Sequence, residues 1–129
     1  MSRGNNGTVR NKLRLRLASE GRPCWICVRA GRSGRIDYSL KFPHPYSFVA
    51  DEKVPVSKYW LGGYPNAQAA ALDYDNLLAA HKCCNEWRSN KTYEETCKAI
   101  DEIVRGKARG RIPSQQPTPS RNWRNPKGG

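Results

Sequence analysis

Apolar positions recur every four residues at the start of the chain, at Val9, Leu13 and Leu17, and Gly21 with Pro23 then supplies a stop. That spacing predicts a helix, although "LRLRL" at 13–17 also alternates as a strand would. A second helix is predicted over "KTYEETCKAIDEIV". Thr92 and Glu95 have capping-box spacing there, and Tyr93, Cys97, Ile100 and Val104 mark one apolar stripe. Cys97 on that stripe reads as a small buried hydrophobe. "YPNAQAAALDYDN" at 64–76 predicts a short helix with Asn66 as N-cap. Upstream, a short apolar run ends in "VADEKVPVS", residues 49–57, where a strand is expected to finish beside two adjacent carboxylates, Asp51 and Glu52. The final "RIPSQQPTPSRNWRNPKGG" is too rich in Pro, Ser, Gln and Gly to bury much apolar area and predicts a flexible tail. No internal repeat is visible.

Composition sharpens this outline. The chain has 129 residues, of which 37% are apolar, and its ends are charged and rich in Gly and Pro. The packed part is therefore small, and a metal or disulfide staple would help it. We divide the chain into a basic N-terminal helix or arm (1–21), a central domain with its C-terminal helix (22–106) and a flexible basic tail (107–129). The formal net charge is +12, from 23 Lys and Arg against 11 Asp and Glu. Cations cluster at both ends, Arg14 and Arg16 among them, so a polyanion such as DNA is the expected partner. The plainer alternative is a protein that is merely basic. No run approaches a membrane span, and the basic first twenty residues lack the apolar core of an export signal. A cytoplasmic, reducing location is expected.

Five cysteines, an odd number, then read as metal ligands more readily than as disulfides. Cys24-x-x-Cys27 and His81-x-x-Cys84 are two pairs with the same spacer, and together they could close a tetrahedral structural zinc site. The competing reading is four buried residues without a metal. Cys83 adjoins Cys84, and only one of the two can face an ion if both lie on a helix.

The order "ADEKVPVS", "GG" at 62–63 and "DYDNLLAAHKCCNEWRSNK" resembles the HNH nuclease family, and small phage and prophage members in particular. The family pattern runs Asp-His, Pro-x-Ser, Gly-Gly, Asn-Leu, then Cys-Asn or Cys-His before a basic helix. The resemblance covers about residues 22–91. It implies an α+β fold with a ββα-metal motif, one structural zinc, flanking helices and a disordered basic tail. It also implies a metal-dependent DNA endonuclease that nicks one strand, acting as a monomer or homodimer. Asp51 and Asn85 fall on the ligands of the catalytic divalent ion, Mg²⁺ or Mn²⁺ by their oxygen chemistry. Asn76 falls on the residue that holds the loop carrying the general base. That base is a histidine in the family and Glu52 here, a departure that leaves a catalytically inactive, zinc-stabilised DNA-binding protein as the alternative. Arg88 and Lys91, following Asn85, are expected to grip phosphates. Trp87 reads as a core anchor or a base-stacking residue, His44 as a loop histidine, and Asp37 as a turn or surface residue.

Overall fold

The computed structural model describes the backbone of residues 2–113 and the side chains of residues 7–113. Helix α1 (Ser2–Ser19) leads into the short α2 (Trp25–Arg29), and strand β1 (Phe48–Glu52) follows. A 3-10 segment (Val56–Gly62), helix α3 (Ala67–Ala71) and a turn at Tyr74–Asn76 carry the chain to strand β2 (Leu77–His81). Helix α4 (Lys82–Arg88) begins directly at the end of β2, and α5 (Tyr93–Val104) completes the regular structure.

The strands form one antiparallel pair, with Phe48 opposite His81 and Glu52 opposite Leu77. Because α4 starts where β2 stops, it runs back along the pair, from the His81 end toward the Glu52 end. Phe48, Leu77, Ala79 and Ala80 on the strands pack with Leu17, Ile26, Ile36 and Ile100 into the core. The sheet is thus too small to form a core by itself, and helices on both faces complete it.

Helix wins over strand at residues 13–17. Leu17 is fully buried and Leu13 packs on the core, while Leu15, which an alternating strand would have placed with them, is 52% exposed. Glu20 and Gly21 close the helix end through bonds to the carbonyls of Leu17 and Ala18, with Gly21 at φ +63°. Asn66 caps α3 by accepting from the Ala69 amide at 2.8 Å. At α5 the Thr92 hydroxyl accepts from the Glu95 amide at 3.0 Å, and the Glu95 carboxylate accepts from the Thr92 amide at 2.9 Å.

Two expectations need correction. Val104 does not extend the apolar stripe of α5: it is exposed, and Ile103 packs on the core instead. Nor does a loose tail begin at 107, since Ile112 is fully buried in the core and tethers the segment that follows α5. Residues 114–129, the remainder of the expected tail, lie outside the described residues.

Candidate metal centre and carboxylate site

Cys24 stands just before α2 and Cys27 within it, so the first turn of a short helix brings both thiols to one side. The turn is held by backbone bonds from Val28 to Cys24 and from Arg32 to Cys27. Gly34 closes it: its carbonyl accepts from the Cys24 amide at 2.8 Å, and a Cβ there would lie 2.8 Å from the Cys24 carbonyl oxygen. With φ at +71° as well, only glycine fits. His81 and Cys84 come from the junction of β2 and α4, one helical turn apart.

All four side chains are buried, and their ligand atoms lie within 4.8 Å of one another. Cys27 Sγ is 3.4 Å from His81 Nδ1 and 3.8 Å from Cys84 Sγ. A tetrahedral ion with bonds of about 2.0–2.3 Å sets its ligands roughly 3.3–3.8 Å apart, so these spacings suit a metal such as zinc. The ring orientation agrees. His81 Nε2 lies 3.1 Å from the Arg35 carbonyl, to which it donates, and this leaves the Nδ1 lone pair for the cluster.

Electrostatics point the same way. Hydrogen bonds from Cys27 and Cys84 hold the Cys24 thiol far below the usual thiol range. Burial alone would lower His81, but the Cys24 and Cys27 thiols beside it raise it to about 10. Cys84 is pushed up by its contacts with Cys24 and Cys27. The four side chains thus share protons at close quarters, and a cation can replace those protons. Cys84 belongs to this group of four and Cys83 does not.

The second site lies at the other end of the strand pair. Asp51 and Glu52 are consecutive strand residues and so point to opposite faces. Asp51 faces α2 and α4 and is 6% exposed. Its Oδ2 accepts from Trp25 Nε1 at 2.9 Å and from Arg88 Nη1 at 2.8 Å, and its Oδ1 accepts from the Glu52 amide at 2.8 Å. Arg88 is therefore not the outward-reaching cation expected from its place after Asn85. It is buried, and it also donates to the carbonyls of Glu52 at 2.6 Å, Lys53 at 2.9 Å and Lys91 at 3.1 Å, with its guanidinium over the Trp25 ring. A guanidinium so deep in a small core persists because the carboxylate and three carbonyls satisfy it.

Glu52 faces α1 and keeps part of its surface in solvent. Arg10 Nη2 donates to its carboxylate at 2.5 Å, while Nη1 donates to the Ala71 carbonyl at 2.7 Å. Burial raises the proton affinity of Glu52 above the ordinary carboxylate value, and Arg10 only partly offsets this. Asn76 holds the chain just beyond: its Oδ1 accepts from the Val54 amide at 2.8 Å, and its Nδ2 donates to the carbonyls of Val54 at 3.0 Å and Ala70 at 3.1 Å. Asn85 is half-buried one turn before Arg88, and its side-chain amide makes no hydrogen bond among the described residues.

Among the expected cations, Arg14 and Arg16 are exposed on α1, over the rings of Phe48 and Tyr74. Lys91 folds back, with its Nζ on the Trp87 carbonyl and ring. Trp87 packs against the core. His44 is an exposed loop residue that accepts from the Tyr46 amide, and Asp37 accepts from Ser39 in a local turn. Arg10 and Trp25, which complete the carboxylate site, were not anticipated. Trp25 lies inside the Cys24-x-x-Cys27 pair and is carried to Asp51 by it, whereas nothing local marks Arg10. No protein-family model, curated protein or solved structure matches the chain.

Proposed function

We propose that this chain is a metal-dependent DNA endonuclease of the HNH type, in which β1, β2 and α4 form a ββα-metal motif stapled by zinc at Cys24, Cys27, His81 and Cys84. The observation that carries the reading is the Asn76 clamp. An amide that bonds both the N–H and the C=O of Val54 fixes the chain directly after Asp51 and Glu52, and α4 lies back along the strands so that Arg88 holds Asp51 and the same segment from within the core.

The donors present suit a hard divalent ion. Among the described residues, Asp51 Oδ1 accepts a single hydrogen bond and the Asn85 amide oxygen accepts none. Asp51 and Asn85 would hold Mg²⁺ or Mn²⁺, which when bound supplies charge stabilisation at the scissile phosphate and leaving oxygen. Glu52 leaves β1 on the face opposite Asp51 and is paired with Arg10; partly open to solvent at the strand end and raised in proton affinity by burial, it would accept the proton of the attacking water there. Arg10 holds that carboxylate against α1, Asn76 fixes the loop, and Arg88 orients Asp51 from within the core. A single such site cuts one strand, so a nicked circle is the expected product from a monomer, and a homodimer would be needed for paired cuts.

One observation favours the second reading, a DNA-binding protein without turnover. Arg88 and Trp25 already saturate Asp51 Oδ2, so the carboxylate is stable with no ion nearby. Supercoiled plasmid incubated with the pure protein separates the two. Nicked circles in Mg²⁺ or Mn²⁺, and none without added divalent ion, support the nuclease; binding without nicking under every condition supports the alternative.

A further inference from the structure

A groove of about 660 Å³ opens between α1 and the segment 38–42, with β1 as its floor. Its size falls in the range of roughly 300–1,000 Å³ that encloses compact ligands. Arg10 and Arg14 line it from α1, Lys41 lines it from the opposite wall, and no acidic side chain is among its lining residues. Between these cations lie two large apolar side chains that the core does not use: Leu15 is 52% exposed on one wall and Phe42 73% exposed on the other. Lys82 Nζ stands 5.4 Å from the centre of the Phe42 ring at the rim, where it is paired with Glu86.

Cations interleaved with an exposed aromatic ring are the chemistry of a single-strand platform, on which bases stack while the backbone is neutralised. A duplex keeps its base faces stacked inside and offers such a groove only phosphates. An apolar peptide would leave Arg14 and Lys41 without an anionic partner. We propose that this groove seats an unpaired stretch of DNA, with a base stacked on Phe42 opposite Leu15 and phosphates held by Arg14 and Lys41. The groove ends at Ala50 and Arg10, and Arg10 touches Glu52, so a strand lying in it leads to the carboxylate site. The inference rests on DNA as the partner in the reading above and is independent of cleavage.

Fluorescence anisotropy of the full chain with a labelled oligothymidylate and with a duplex hairpin, without added divalent ions, tests it. Phe42→Ala should weaken oligothymidylate binding at least about five-fold and duplex binding less than about two-fold, with an unchanged circular-dichroism melt because the ring is mostly in solvent. Arg14→Ala should flatten the slope of log affinity against log salt for oligothymidylate by about 0.7. Equal weakening of both ligands by Phe42→Ala, or no weakening of either, overturns the proposal. A selective Phe42 effect in a protein that never nicks plasmid upholds the groove and counts against the nuclease reading alone.

Discussion

The Cys24, Cys27, His81, Cys84 cluster and the Asp51, Glu52 site occupy opposite ends of one strand pair, yet they are built differently. The cluster draws its ligands from two local pairs, each spanning about one helical turn, and every side chain converges on one centre. A single cation could satisfy four buried ligand atoms of that kind. The carboxylate site is assembled from distant parts of the chain: Arg10 from α1, Trp25 from α2, Asn76 from the turn before β2, and Arg88 from α4. Its charges are already compensated by arginines. The first region should therefore depend on a metal for its folding, and the second on its own hydrogen bonds.

Removing a ligand breaks this contrast most severely. Cys27→Ser should abolish metal binding and cooperative folding together, read by elemental analysis and circular dichroism, whereas Cys83→Ser should retain both because Cys83 is outside the cluster. A folded, soluble preparation that contains no zinc would contradict the assignment.

The carboxylate site should fail by a different route. Arg88→Ala strands the buried Asp51 carboxylate and three carbonyls, and should cost about 3–5 kcal/mol in urea denaturation without releasing zinc. Asn76→Ala leaves the Val54 amide and two carbonyls unpaired, at a cost of about 2 kcal/mol. Loss of zinc in either variant would show the two ends to be one unit.

The smallest expected effect is the pH response of Glu52. Its folded proton affinity is raised, chiefly by burial, so its contribution to stability is greatest below the ordinary carboxylate pKa and declines as pH rises through the raised value. The stability of the parent relative to Glu52→Gln should fall across that acid-to-neutral interval. A parent that gains on the variant as pH rises would mean that the Arg10 pair outweighs burial.

Much of this was legible in the chain itself, and the exceptions share a cause. Caps and knuckles depend on residues a few positions apart, so Thr92 with Glu95, Asn66, and the two ligand pairs could be read directly. Arg88 could not: its neighbours suggested a solvent-facing cation, and only the packing of α4 on β1 and α2 turns it inward to Asp51. Arg10 likewise lies in a basic segment where no cation stands out, and its partner is 42 residues away. Ile112 sits among residues of tail-like composition, and a single buried side chain gives no periodic signal.

The most direct test of the account is the plasmid-nicking rate of Glu52→Gln against that of the parent, both in Mg²⁺ and at equal zinc content and melting temperature. If Glu52 is the general base, the parent nicks and the variant, which keeps the shape but cannot take a proton, loses about 100-fold or more with its zinc retained. A parent with no nicking activity, or a variant that nicks at the parent's rate, would contradict it.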